Sequence, residues 1–279
     1  MRRSLAALWI ALGVGCGAAP EVAPLEPGGV GAGVDLLAAE RQVFSQQGED
    51  GVVEKIFEVI EPGPRFVAEF GAYDPILDSN TRNLILKGWS ALLIEGDEGR
   101  AAKIAAAYAD NPRVTTQQAW VYPGNIEILF EEAGVPHDLD LLVIDIDSND
   151  YYVWRAIHDF RPKVVMIEMN HEFPPPMLMV VDFHPLNYWD GGSYHGASLQ
   201  SLTNLGKKKG YELLYCMSWG PNAFFVDAQY FERFGIEDNS PEALFKMKPK
   251  EPVPFVMPST GKPFEHGPFT VEKKWVLDR

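Results

Sequence analysis

Residues 139–154, LDLLVIDIDSNDYYVW, decide the fold. Leu139, Leu141, Leu142, Val143 and Ile144 form a short apolar run, the composition of a central strand buried on both faces. The run then breaks into acids and amides: Asp145, Asp147, Asn149 and Asp150. Carboxylates therefore gather where a buried strand ends. In open α/β sheets, ligands bind outside the carboxyl ends of the strands. A second apolar run, KVVMIEMN at 163–170, follows one short helical stretch and ends in Glu168 and Asn170. Two neighbouring strands thus bring Asp145, Asp147, Glu168 and Asn170 to one edge.

Outward from this stretch the pattern alternates. A helix is predicted from about Gly48 to Ile60, with Val52, Val53, Ile56, Phe57 and Ile60 on one face. Strands are predicted at 65–71, 91–95 and 113–121, and helices at 79–87, 98–108, 125–133 and 149–158. Ser79 or Asn80 would cap the second helix. Strands alternating with helices imply an α/β fold with a doubly wound, mostly parallel sheet. Residues 171–196 are long, Pro-rich and aromatic, which predicts an ordered lid. A helix at 198–209 ends in Lys207, Lys208 and Lys209, read as a complement to the helix dipole on a solvated face. Runs at 211–217 and 223–226 read as a C-terminal antiparallel strand pair. The main domain is bounded at 45–235, and 236–279 reads as a Pro-rich arm packed on it.

Of the 279 residues, 46% are hydrophobic, as in a globular protein. The formal net charge of −15 argues against a nucleic-acid partner, which would need a basic face. At the N-terminus, Arg2 and Arg3 precede LAALWIALGVG, an apolar run too short to span a membrane, which ends at Cys16. Segment 1–16 therefore reads as a lipoprotein-like signal, with Cys16 as the lipidation site and an exported protein held to the membrane only by that anchor. The alternative is a misassigned start nearer Val34 or Val43 and a cytoplasmic protein. Residues 17–44 read as a flexible Ala/Gly/Pro-rich tether. Cys216 would then be the one remaining cysteine, which excludes an internal disulfide.

Five alternating strands followed by an antiparallel pair match the layout of the S-adenosylmethionine (SAM) methyltransferase domain. Glu69 ends the first strand and could accept from the methionine ammonium of SAM. Gly71 would let a ligand approach the backbone. Glu95 ends the second strand and could accept from both ribose hydroxyls. Ala119 and Trp120, near the third strand end, could flank the adenine, although a core Trp is the more ordinary reading.

SQQGEDGVVEKIF, FVAEFGAYD, SNTRNL, GWSALLIEGD, DLLVIDIDSNDYYVW, RPKVVMIEMN and GASLQSLTNLGKKKGYEL together resemble the FkbM-type methyltransferase family, in matching order over 45–227. The resemblance implies a class I Rossmann-like fold, SAM as donor and, typically, O-methylation. Carried over by position, Glu69, Gly71 and Glu95 would hold SAM, with Tyr73 in the first loop counted beside them, and Asp145 would lie near the sulfonium and the acceptor. This chain has Tyr73 and Pro75 where relatives are often richer in Gly, and Ser148 where Gly is usual in I-D-x-x-x-D.

An alcohol acceptor needs its proton removed by a base or by a metal that lowers its pKa. His171 and Glu172 are candidate bases, beside Asp145 and Asp147. Asp145, Asp147, Glu168 and Asn170 are hard oxygen ligands suited to Mg²⁺ or another hard cation; capping helices and holding the lid is the structural alternative. The acceptor would be a small molecule or a glycan. Two other functions fit parts of the pattern. Asp145-Ile-Asp147 matches the D-x-D of a metal-dependent glycosyltransferase. An exported module that keeps the fold without catalysis fits the N-terminal segment.

Overall fold

The structure, a computed structural model, describes residues 33–187, 189, 191–246 and the backbone of three short strands between 264 and 276. The signal-like segment with Cys16, the tether up to residue 32 and most of the C-terminal arm lie outside the described residues. A seven-stranded sheet is built from β1 (Phe66–Phe70), β2 (Ser90–Glu95), β3 (Val114–Gln118), β4 (Leu141–Ile144), β5 (Val164–Glu168), β7 (Tyr211–Cys216) and β8 (Asn222–Asp227). Their order is β3-β2-β1-β4-β5-β8-β7. The first five pair parallel, and β8 pairs antiparallel with both β5 and β7. The α/β, mostly parallel sheet expected from the sequence is thus present, and its antiparallel element is a single reversed strand, β8.

Both faces are covered, which explains the unbroken apolar runs. Leu142 and Ile144 of β4 enter one core with Phe130 of α4 (Ile126–Ala133), Trp154 of α5 (Asp150–Ala156) and Leu202 of α6 (Leu199–Lys209). Leu141 and Val143 enter the other, with Ile56 of α1 (Glu49–Ile60), Leu84 of α2 (Arg82–Leu86) and Ile104 of α3 (Glu98–Tyr108). Side chains alternate along a strand, so every second residue changes core. Asp97 caps α3 by accepting from Arg100 N at 2.9 Å, and Ser198 caps α6. β1 and β4 are neighbours although β2 and β3 intervene in sequence, so the winding reverses between them. That reversal opens a crevice at the carboxyl edge.

Three expectations change. The second helix starts at Arg82; Thr81 holds the cap position without a side-chain cap bond, and the Ser79 hydroxyl accepts from Arg82 N at 3.2 Å. Residues 33–44, expected as the end of a tether, are packed on the domain. Leu36 is buried, Val34 N donates to Phe234 O at 2.8 Å, and Glu40 Oε1 accepts from Tyr215 Oη and Ser218 N, each at 2.7 Å. Asp50 Oδ2 collects the backbone N–H groups of Val43, Phe44 and Ser45. Hydrogen bonds and the burial of Leu36, with Val34 packed against the same core, together hold this stretch. Finally, the segment 171–196 contains one short strand, β6 (Val180–Val181), paired with Trp275–Val276 from the arm. Beyond β8 come α7 (Ala228–Phe231), α8 (Pro241–Leu244) and the short strands β9 (Phe264–His266), β10 (Phe269–Val271) and β11 (Trp275–Val276).

Candidate active site

A cleft of about 800 Å³ opens at the carboxyl edge, over the β1–β4 reversal. Gly71, Tyr73, Glu95, Ala119, Trp120, Asp145, Asp147, Glu168 and His171, all singled out from the sequence, line it. Glu69, Asn170 and Glu172 do not.

On the β2 side, Glu95 is buried and its two oxygens are held by backbone N–H groups: Oε2 accepts from Tyr73 N at 2.9 Å and Oε1 from Asp97 N at 2.8 Å. Each carboxylate oxygen keeps a further acceptor position. Trp120 is 58% exposed, so it is not a core residue. Its ring lies flat over Gly96, where a Cβ would stand 2.6 Å from the indole. The Arg100 guanidinium sits 4.2 Å from the Tyr73 ring centroid.

The glycine at 71 is required for a reason other than ligand approach. Its φ is +71°, and a Cβ there would lie 1.8 Å from the Asp145 carbonyl oxygen. The β1 and β4 ends pack backbone against backbone at this point. Tyr73 and Asp147 also adopt left-handed backbone, with φ of 48° and 63°. Strain of this kind collects where side chains must be aimed, and costs of order 1–3 kcal/mol per residue.

Glu69 was expected at the cleft. Strand alternation instead turns it toward α2 with Val67, where its Oε2 accepts from Thr81 Oγ1 at 2.5 Å. Burial outweighs the Thr81 and Asn80 hydrogen bonds and pushes its pKa up to about 7.

Below the β4 and β5 ends, Asp145, Asp147 and Glu168 bring one carboxylate oxygen each within 4.8 Å of one another. None of the described donors bonds Asp145. Burial and the neighbouring Asp150, Asp147, Glu69 and Glu49 raise its pKa well above the usual carboxylate range. Burial, followed by the neighbouring Asp145, Asp150 and Asp147, raises Glu168 likewise. Asp147 is raised by burial, against the pull of Arg100. Asp150 lies just behind them; its Oδ1 accepts from Ile146 N at 2.8 Å, and burial lifts it to about 7.

Asn170 was expected as a metal ligand but holds the 171–196 segment: its Nδ2 donates to Ser193 O and His195 O, each at 2.9 Å. The neighbouring amide is Asn222, opposite Glu168 in the β5–β8 register, 2% exposed, with an unpaired Oδ1. Sequence reasoning missed it, since a lone Asn at a strand start carries no signal and its Nδ2 partner is Glu49, far away in the chain. Asn80, Asn149, Arg100 and His195 also line the cleft and were missed. His195 is buried, and burial followed by His171 lowers its pKa to about 4, so it is neutral at pH 7. His171 presents a buried, unpaired Nδ1. Glu172 is exposed and its backbone N–H bonds Asn170 Oδ1.

No protein-family model matches this sequence, and no curated protein matches it. Solved structures do. The N-terminal domain of EvdMO1, solved with SAH and D-fucose, is 13% identical over 65% of this chain and 82% of that one, with a TM-score of 0.41. A SAM-dependent methyltransferase from Clostridium acetobutylicum is 11% identical over 64% and 89%, with a TM-score of 0.40. Magnesium protoporphyrin IX methyltransferase from Synechocystis, solved with SAM, is 10% identical over 64% and 77%, also at 0.40.

Proposed function

We propose that this chain binds SAM in the cleft and is a SAM-dependent methyltransferase of the FkbM type, acting on a hydroxyl of a small molecule or glycan. The observation that carries the reading is the chemistry of the unpaired atoms on the cleft wall. Asn80, Asn149 and Asn222 each have a buried amide oxygen without a donor, and Glu168 a buried carboxylate oxygen without one. With Glu95, Asp145 and Asp147 they make the cleft lining rich in acceptors. The ligand that fits brings O–H and N–H donors and positive charge. SAM offers two ribose hydroxyls, an ammonium and a sulfonium. A nucleotide sugar brings a diphosphate, and Arg100 is the one Lys or Arg among the described cleft residues. The glycosyltransferase reading is the poorer fit.

Bound there, SAM supplies an electrophilic methyl group for in-line displacement. Glu95 would accept from the ribose hydroxyls, and Trp120 and Ala119 would flank the adenine. With Glu69 turned away, Asp145 is the carboxylate that would receive the ammonium or orient the acceptor hydroxyl. His171, the candidate base that lines the cleft, would take the acceptor proton. Asp145, Asp147 and Glu168 would hold Mg²⁺ or another hard cation, with Asn222 Oδ1 in place of Asn170; hard oxygen donors suit it. Such a cation would lower the pKa of the acceptor hydroxyl.

Thermal shift with SAM or SAH against UDP-glucose plus Mn²⁺ tests the reading. A shift with SAM or SAH is expected. A shift with the nucleotide sugar alone would favour the glycosyltransferase, and no shift with either would favour a non-catalytic module.

A further inference from the structure

Two tryptophans are among the described residues lining the cleft, Trp120 and Trp189, and the donor reading uses only the first. Trp189 belongs to the segment 171–196, which Asn170 fastens at the end of β5. It is 48% exposed, yet its ring is held: Nε1 donates to Gly192 O at 2.8 Å, and the ring meets His195 edge-on, with 6.1 Å between centroids. An indole has one donor, and here it is spent. What Trp189 still offers a ligand is exposed apolar ring surface on the cleft lining. Because the ring is already held, little further ordering is lost when a ligand covers it.

The polar groups that share this half of the cleft are acceptors more than donors. Asn187 spends Nδ2 on Asp182 O at 2.8 Å, so its amide offers Oδ1. Asp147 is exposed and Glu168 half-buried, and both line the cleft. Positive charge lies elsewhere. Arg100, the one Lys or Arg among the described cleft residues, comes from α3 and lies over the Tyr73 ring, on the β1–β2 side. A ligand that matches this half has a face of C–H groups for the indole and an edge of O–H donors for the acceptors. A sugar ring is built that way: C–H bonds collect on a face of the chair and hydroxyls project from its rim. A flat phenol would cover the indole but bring only one or two donors. A phosphorylated sugar or a uronate would set its charge among carboxylates without a counter-ion, which is costly.

We propose that Trp189 is the platform for the methyl acceptor, and that the acceptor is an uncharged sugar ring lying on the indole, with hydroxyls bonded to Asn187, Asp147 and Glu168. The proposal rests on the methyltransferase reading, which gives the Trp120 side of the cleft to the donor. It narrows the acceptor from any small molecule or glycan to a neutral sugar, and it makes Trp189 a determinant of acceptor specificity with no part in holding SAM.

The probes are the methyl glycosides of glucose, galactose and mannose, each beside its matching uronate. They are titrated by calorimetry into the full chain, with EDTA present, after SAH has been titrated to saturation. At least one neutral glycoside should bind saturably, and at least roughly tenfold tighter than its uronate. Trp189→Ala should weaken that binding roughly tenfold, and Trp189→Phe, which keeps an aromatic face, by less. Neither variant should change SAH affinity or, since Trp189 is half exposed, the melting temperature. With SAH bound, the failure of all three neutral glycosides, equal binding of a uronate, or indifference to Trp189→Ala would overturn the proposal and leave the donor reading standing. Loss of SAH affinity in Trp189→Ala would also overturn it, by placing the donor on this side. No SAH binding to wild type would overturn the methyltransferase reading and the proposal with it.

Discussion

Asp140 precedes β4 and Asp145 follows it, so one strand carries a carboxylate at each end. Asp140 is fully buried and fully answered: it accepts from Gly63 N and Arg65 N at 2.6 Å and from Phe66 N at 3.2 Å, and pairs with Lys163 Nζ at 3.2 Å. Asp145 has no donor among the described residues and shares its edge with Asp147 and Glu168; its pKa is raised by burial and then by Asp150 and Asp147. The same residue type on the same strand is structural at one edge and unsatisfied at the other. Burying a charge costs free energy unless it is paired. The unpaired end is therefore where this fold gives up stability, as functional sites commonly do.

The largest effect should come from the satisfied end. Asp140→Ala strands three backbone N–H groups and a partly buried lysine. It should cost about 3–5 kcal/mol in denaturant melts, with little change in SAM affinity of the folded fraction. A loss under about 1 kcal/mol would erase the contrast between the two ends.

Next comes Glu69. Its folded pKa, about 7, lies above the ordinary glutamate value of 4.5. Its contribution to stability is thus present below about pH 4.5 and lost as pH rises through about 7, on the order of 3 kcal/mol in full. Glu69→Gln should flatten the fall in stability between pH 5 and 8 and exceed wild type at pH 8. An unchanged pH profile would mean that the carboxylate is solvated.

Much of the contrast was legible in sequence. LLVI and VVMIE mark strands buried on both faces, and the polar groups that follow mark the site edge. Which carboxylate enters the cleft was less legible. Glu69 and Asp145 both sit at strand ends, but alternation sends Glu69 behind the sheet edge, while the left-handed turn at Asp147 helps aim the loop after β4. Asn222 and residues 33–44 were missed because their partners lie far along the chain, and periodicity does not encode such pairs. Asn170 was misread as a ligand because its backbone-holding role depends on the fold of 193–195.

Asp145→Asn removes charge but keeps size. Methyl transfer should fall roughly a hundredfold, while stability at pH 8 should not fall. If Asp145 only caps α5, Asn should serve nearly as well, and near-wild-type turnover would show it. A smaller effect is expected from Mg²⁺. At about ten times its Kd it should stabilise wild type by about 1.4 kcal/mol. The effect should be greater at pH 8 than at pH 6, because the ligands must be deprotonated, and weaker in Asp145→Asn. Equal stabilisation of both proteins would place the ion elsewhere.

The most direct test of the central claim is calorimetry of SAM binding to wild type and Glu95→Ala. Glu95 is buried at the cleft floor with both oxygens positioned by backbone N–H groups. Loss of one or two charge-assisted hydrogen bonds predicts an affinity at least roughly tenfold weaker. SAM binding to wild type with unchanged affinity in Glu95→Ala would contradict the placement of the donor, and no binding to wild type would contradict the account as a whole.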